Sequence, residues 1–232
     1  MPLSMDMLNE HDLAVLADSC KGVGRHGYTY FLYENHSDAL KRSLVLKFTR
    51  VGFILPELAE KLSTPILHIR RNPGSVYASF KNTDWDWQFE DVNLTKLYDD
   101  ADLRSASNID GLIDTLKRHD TSPAARFAVL WGLSEQRAQS AIDANTAKLI
   151  EYNDLVDGSV RLPEILEGFG LKAKSVAKSE TASPVTTADR AQLTAKERKH
   201  DWTKRLTDNE ISDITNTLTD VFPEAVSTYL ND

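Results

Sequence analysis

Residues 66–79 read ILHIRRNPGSVYAS, and this stretch predicts a strand that runs directly into a helix. Its first residues form an apolar run typical of a short buried strand. Asn72 is a favourable helix N-cap and Pro73 suits the first helical position, so the helix is predicted over 73–80. Free backbone N–H groups and the helix dipole at such a start attract anions, and Arg71 can grip a phosphate through two parallel hydrogen bonds. The stretch is therefore a candidate phosphate site; the alternative is a surface arginine pair beside a capped helix.

Outward from this stretch, apolar runs alternate with helix-forming segments along most of the chain. The predicted strands lie at 13–17, 43–48, 65–69 and 147–152, and the predicted helices at 28–40, 54–62, 73–80, 124–144, 162–169 and 207–221. Thr207 and Glu210 form a capping box for the last helix, and Pro223 ends it. Strands that alternate with helices favour an α/β fold with a mostly parallel sheet.

Composition narrows the classes of function. The 232 residues are 41% apolar and 27% charged, with a net charge of −8, which is ordinary for a soluble globular protein and argues against a general nucleic-acid binder. No apolar run approaches the roughly 20 residues that span a bilayer, and the first residues lack a signal-peptide pattern. We therefore expect a cytoplasmic protein without a membrane span. The chain is predicted to be a single domain over 1–232, with a mobile loop at 172–194, where large apolar residues are scarce.

The cysteine and histidine content bears on metals and disulfides. A single cysteine, Cys20, excludes an internal disulfide framework and a cysteine-built zinc site. The six histidines show no spacing typical of metal ligands, so no metal is predicted.

A second candidate phosphate site, which is rich in glycine, lies closer to the N-terminus, where residues 22–29 read GVGRHGYT. Glycines between a strand and a helix allow backbone amides to converge on a phosphate, and Arg25 adds positive charge. The chain contains no G-x-x-x-x-G-K-[ST] sequence, so this is not the loop of nucleoside-triphosphate-binding proteins. A glycine-rich surface turn is the alternative.

In this order, the two motifs resemble those of the sulfotransferase family, whose donor is 3′-phosphoadenosine 5′-phosphosulfate (PAPS). In that family a later R-N-P-x-x-x-x-x-S segment holds the 3′-phosphate, and here it matches from Arg71 to Ser79. The resemblance implies a P-loop-like, three-layer α/β/α fold with a mostly parallel central sheet. Because the two motifs are close in sequence, the chain would be a compact member.

The family's first loop has the form [KR]-S-G-T-T and holds the 5′-phosphosulfate. Arg25, Gly27 and Thr29 match it, while His26 and Tyr28 replace small hydroxyl residues. The resemblance implies that all five residues contact the nucleotide and that Arg25 neutralises charge on the leaving phosphate.

Two later stretches extend the resemblance. Residues 149–155, LIEYNDL, are similar to the family's Y-E-D-L strand end, which implies that Tyr152 lies near the adenine. Residues 196–202, KERKHDW, are similar to the basic segment that precedes a tryptophan and a final helix. This similarity makes Arg198 and Lys199 candidates for binding the 3′-phosphate.

The implied reaction is transfer of a sulfuryl group to a hydroxyl or amine of a small-molecule or glycan acceptor, with 3′,5′-adenosine bisphosphate as the product. The family's K-T-H base is absent, since residues 47–50 read KFTR, and Glu34 is the predicted base, with His36 or His26 as alternatives. A non-catalytic descendant that binds a nucleotide or a partner is the alternative function. Another phosphate-loop transferase, such as a kinase, is disfavoured by the missing G-K-[ST].

The remaining aromatic and histidine residues have simpler interpretations. His68, between apolar neighbours in a predicted strand, is expected to be a buried, hydrogen-bonded core histidine. Trp131 belongs by pattern to a helix core, and Trp202 is expected either to anchor its loop or to lie near the nucleotide. Trp85 and Trp87, which alternate with aspartates, are candidates for an acceptor contact or for a lid that packs on the core.

Overall fold

The computed structural model describes residues 52–62, 65–81, 113–171, 194, 197 and 200–230. The predicted strands at 13–17 and 43–48, the predicted helix at 28–40, and all but the last residue of the predicted loop at 172–194 lie outside the described residues, as do Trp85 and Trp87.

The described residues form a helix-rich α/β structure in which two short parallel strands pair with each other, β1 (Ile66–Arg70) and β2 (Ala147–Glu151). The helices are, in chain order, α1 (Leu55–Leu62), α2 (Pro73–Lys81), α3 (Ile113–Arg118), α4 (Pro123–Asp143), α5 (Tyr152–Asp157), α6 (Leu162–Gly168), α7 (Asp208–Val221) and α8 (Pro223–Tyr229). Two short 3-10 helices cover Gly52–Ile54 and Asp201–Lys204. The α/β class is therefore confirmed, and the two strands and five helices predicted within this part of the chain begin and end within two residues of their predicted limits.

The chain divides into two compact units, one comprising Met1–Ile66 with Arg137–Ala147 and the other Leu67–Gln136 with Lys148–Asp232. The prediction of a single domain over the whole chain stays a prediction. In the first unit, Leu55 of α1 packs with Ala138, Ala141 and Ala147, which are all buried. The Arg137 side chain donates a hydrogen bond to the carbonyl of Phe53. These contacts hold α1 to the last turns of α4.

The end of α4 directs the chain into β2. Asn145 has a left-handed backbone with φ 57°, a conformation that asparagine tolerates better than most residues. Its N–H donates to the carbonyl of Ile142, and the N–H of Thr146 donates to that of Ala141, both at 2.9 Å. This pair of bonds is a Schellman motif, which satisfies the last carbonyls of the helix.

In the second unit, α4 packs closely against α7. A Cβ added at Gly132 would lie 3.0 Å from Val221 and 3.2 Å from Leu218, so the two helices approach through this glycine. Trp131 is buried beside it, as its helical position predicted, and its ring centroid lies 6.1 Å from that of Phe222.

The predicted capping box at the start of α7 is confirmed. The N–H of Glu210 donates to the Thr207 hydroxyl, and the Glu210 carboxylate accepts from the N–H of Thr207 at 2.8 Å. Helix α7 ends at Val221, and Pro223 begins α8. Among the described residues, none of the helices combines the length and the apolar character needed to cross a bilayer.

Candidate functional site at the strand ends

The junction between β1 and α2 forms as the sequence predicts. Asn72 is the N-cap: its Oδ1 accepts from the N–H of Ser75 at 2.9 Å, and its carbonyl accepts from the N–H of Val76 at 3.1 Å. Pro73 occupies the first helical position, where its missing N–H costs nothing. The strand therefore turns into the helix within two residues, and Arg71 lies between them.

The start of α2 is covered rather than open. A Cβ at Gly74 would lie 2.3 Å from Cε3 of Trp202, so the indole of the 3-10 helix Asp201–Lys204 rests directly on this glycine. Trp202 is buried, as expected of a residue that anchors its segment. Of the first N–H groups of this helix, Pro73 has none and that of Ser75 donates to Asn72, so the expected attraction of an anion to this helix start stays a prediction.

Arg71 and Tyr152 come together at the carboxyl ends of the two strands. Cζ of the Arg71 guanidinium lies 4.9 Å from the centroid of the Tyr152 ring. Each residue directly follows a strand, and parallel neighbours place their carboxyl ends on one edge of the sheet. In open α/β sheets this edge is where ligands bind. The two residues therefore form a candidate ligand site.

This pair has the chemistry of a nucleotide contact. The N–H groups of a guanidinium lie in its plane, which is also the plane of a bidentate phosphate contact. Arg71 is partly buried, and Tyr152 is 39% exposed, which leaves ring surface for a planar base. A 3′-phosphate and an adenine therefore fit the residue types present.

Of the other predicted site residues, Ser79 lies in the part of the chain that the structure describes. Ser79 is partly buried in α2, six residues after Pro73, and so about 9 Å along the helix axis from it. The remaining predicted residues lie outside the described part of the chain: Arg25, His26, Gly27, Tyr28, Thr29, Glu34, Arg198 and Lys199.

A buried charge cluster supports β1, the strand that precedes Arg71. Oε2 of Glu135, in α4, lies 2.8 Å from both Nε2 of His68 and Nε of Arg70. Burial acts to raise the pKa of Glu135, but the hydrogen bonds and charges of His68 and Arg70 hold it below its ordinary value. His68 is hydrogen-bonded, as expected, but it is only partly buried, with its side chain 15% exposed.

The last residue of β2 continues this cluster. Oε1 of Glu151 lies 3.9 Å from Nη1 of Arg70, and its carboxylate accepts a hydrogen bond from the hydroxyl of Tyr229. Burial raises the pKa of Glu151. Burial also raises the pKa of Tyr229, and its bond to Glu151 adds to the shift, so the tyrosine is a neutral donor at physiological pH.

Glu135 was not among the predicted site residues, although two features of the sequence mark it. It lies four residues after Trp131 and therefore on the same face of α4, where an acid among apolar residues needs a partner. His68 and Arg70 alternate along β1 and so point to one side of the strand. Nothing in the sequence marks Tyr229 as a partner of these residues.

Comparison with known proteins and families does not extend these observations. The chain matches no protein-family model, and no similar protein was found among curated proteins or solved structures. Within the ranges that the structure describes, no group of three or more His, Cys, Asp and Glu side chains is placed to hold a metal ion.

Proposed function

We propose that this protein binds PAPS at the carboxyl ends of β1 and β2 and transfers its sulfuryl group to a hydroxyl or amine of a small-molecule or glycan acceptor. The observation that carries the proposal is the cation–π contact of Arg71 with Tyr152, with 4.9 Å between Cζ and the ring centroid. These residues come from two separate motifs of the sulfotransferase resemblance, 81 residues apart in the sequence. Their meeting at one sheet edge is what a shared nucleotide site requires.

The proposed fold is the three-layer α/β/α arrangement of that family. Two features support it: β1 and β2 are parallel, and each passes directly into a helix, α2 and α5 respectively. The predicted strands at 13–17 and 43–48 would extend this sheet.

In the proposed reaction, bound PAPS supplies the activated sulfuryl group. Arg71 donates to the 3′-phosphate, with Ser79, Arg198 and Lys199 as further contacts. Tyr152 offers its ring to the adenine.

At the reacting end, we assign Arg25 to neutralise the charge that builds on the 5′-phosphate as its bond to sulfur breaks. Glu34 takes the proton that the acceptor loses as its oxygen or nitrogen bonds to sulfur. The backbone of residues 26–29 would cradle the same phosphate.

The first experiment is calorimetric titration with 3′,5′-adenosine bisphosphate. Loss of a charge-assisted contact typically costs about 1.5–3 kcal/mol, so Arg71→Ala should weaken binding at least roughly tenfold. Arg161→Ala is the matched control, because it removes the same charge from a side chain that is 72% exposed, and it should bind as the wild type does. Adenosine 5′-phosphate, which lacks the 3′-phosphate, should bind weakly and respond to neither substitution. Wild-type protein that does not bind the bisphosphate would contradict the proposal.

A binding-only protein is the second candidate. His26 and Tyr28 replace the hydroxyl residues of the phosphosulfate loop, and the K-T-H base is absent, which favours this alternative. A transfer assay with labelled PAPS on a panel of phenols, alcohols, amines and sugars separates the two. In an active enzyme, Arg25→Ala should lower turnover by on the order of a hundredfold, with a much smaller effect on nucleotide affinity. Tight binding without transfer to any acceptor would favour the binding-only function.

A further inference from the structure

Tyr229, at the end of α8, contacts the chain immediately beside both residues of the candidate site. Its carbonyl accepts a hydrogen bond of 2.8 Å from Nδ2 of Asn72, the residue that follows Arg71. Its hydroxyl donates to the carboxylate of Glu151, the residue that precedes Tyr152. One tyrosine thus links the ends of β1 and β2 from the outside of the ladder.

The surroundings of Tyr229 favour a rigid link. Tyr229 is 9% exposed and Asn72 is 6% exposed, and hydrogen bonds in such low-dielectric surroundings are stronger than those in water. The Tyr229 ring meets that of Trp131 edge to face, with the centroids 6.1 Å apart and the planes at 87°. The ring of Tyr229 is therefore held by Trp131 of α4, and its hydroxyl is held by Glu151.

The strand ladder alone does not fix the two site residues. The strands end at Arg70 and Glu151, so Arg71 and Tyr152 are the first residues beyond them. Stacking of a guanidinium on a ring depends on the separation of the two backbones that carry them. Tyr229 bonds to the neighbour of each site residue, Asn72 and Glu151, and so restrains the two backbones relative to each other.

We propose that Tyr229 is a positioning residue that sets the spacing of Arg71 and Tyr152 and, through that spacing, the affinity of the nucleotide site. The part of the inference that concerns affinity rests on the proposed function. The part that concerns spacing does not, and it is tested without a nucleotide.

The spacing is measured from the NMR resonances of the Arg71 guanidinium, which the ring current of Tyr152 shifts. The resonance positions in Tyr152→Leu, which lacks the aromatic ring, are the reference without a ring-current shift. In Tyr229→Phe, which keeps the ring and the carbonyl but loses the bond to Glu151, the resonances should move at least halfway towards that position. Asn72→Ser removes the hydrogen bond to the carbonyl of Tyr229 but keeps an N-cap oxygen. It should also move the Arg71 resonances towards their positions in Tyr152→Leu.

The control for a general loss of stability is Ser122→Ala. It removes a hydroxyl bond of 2.6 Å to the carboxylate of Asp213, at the start of α4 and about 20 Å along the helix from Glu135. The Arg71 resonances should stay at their wild-type positions in this variant. If they also stay there in Tyr229→Phe, Tyr229 does not set the spacing and the inference is overturned.

The affinity arm uses calorimetry with 3′,5′-adenosine bisphosphate. Tyr229→Phe should weaken binding about tenfold, comparable with the loss of the partners that orient metal ligands, while Ser122→Ala should leave binding unchanged. If Arg71→Ala weakens binding but Tyr229→Phe does not, the inference fails and the proposed function stands. If the wild type does not bind while the resonances move as expected, the proposed function fails and the role of Tyr229 in the spacing stands.

Discussion

Glu135→Gln is the substitution that tests the buried charge cluster most directly. The carboxylate is 7% exposed, and one of its oxygens receives two hydrogen bonds of 2.8 Å, from His68 and from Arg70. Removing one partner of a buried ion pair typically costs about 3–5 kcal/mol. Because the amide oxygen of glutamine can still accept one bond, and Glu151 lies 3.9 Å from Arg70, we expect the lower end of that range, about 3 kcal/mol.

The free energy of unfolding is measured by urea denaturation at pH 7, with thermal unfolding as a second observable. A loss of about 3 kcal/mol should lower Tm by roughly 6–12 °C in a chain of this size. Glu164→Gln is the matched control, since this carboxylate is 64% exposed and its pair with Arg161 is a surface one. It should change stability by no more than about 0.5 kcal/mol.

The difference in the free energy of unfolding between wild type and Glu135→Gln should depend on pH, which gives an independent test. The folded pKa of Glu135 lies below its ordinary value of 4.5, so its ionised form stabilises the fold above pH 4.5, and this contribution is lost as the pH falls through the folded pKa. The contribution of Glu151 to the pH dependence of stability has the opposite sign, because its folded pKa is raised. Since Glu151 is present in both proteins, this contribution largely cancels when the two are compared. The gap between wild type and Glu135→Gln should therefore narrow below pH 4.5. A gap of less than about 1 kcal/mol at pH 7, or one that stays constant down to pH 3, would show that the ionised Glu135 does not stabilise the fold.

Two further substitutions test local contacts. Gly74→Ala places a methyl group 2.3 Å from the Trp202 indole, so it should cost about 1–3 kcal/mol and increase acrylamide quenching of tryptophan fluorescence; Gly168→Ala, whose added Cβ has no neighbour within 4 Å, should do neither. Thr207→Ala removes the capping box of α7 and should cost about 1 kcal/mol in urea denaturation, whereas a change below about 0.3 kcal/mol would show that the cap is dispensable.

The local part of this structure follows from the sequence because its signals lie within a few residues. Asn72 and Pro73 mark the start of α2, and Thr207 with Glu210 marks the start of α7; each cap is a bond between neighbours in sequence. Helix α4 is predicted from the composition of residues 124–144, which are rich in helix-forming residues.

The interactions that support the candidate site are of a different kind. Glu135 meets β1 across 65 residues of sequence, and Tyr229 meets Asn72 across 157. No spacing rule connects such pairs, because their approach depends on how whole elements pack. His68 illustrates the boundary: its hydrogen-bonded environment could be predicted from its apolar neighbours, but its partner could not. For the glycine-rich loop at 22–29, the assignments stay predictions.

The two adjacent arginines at the end of β1 have different roles: Arg70 stabilises the fold, and Arg71 belongs to the candidate site. The geometry of the strand explains this difference. Side chains alternate from one side of a strand to the other, so Arg70 and Arg71 leave the backbone in different directions. Arg70 is buried against Glu135, where burial acts to lower its pKa but the bond and charge of Glu135 raise it. Arg71, one residue on and past the end of the strand, lies instead over the Tyr152 ring. The first arginine thus fixes the strand to α4, and the second lies at the sheet edge beside Tyr152.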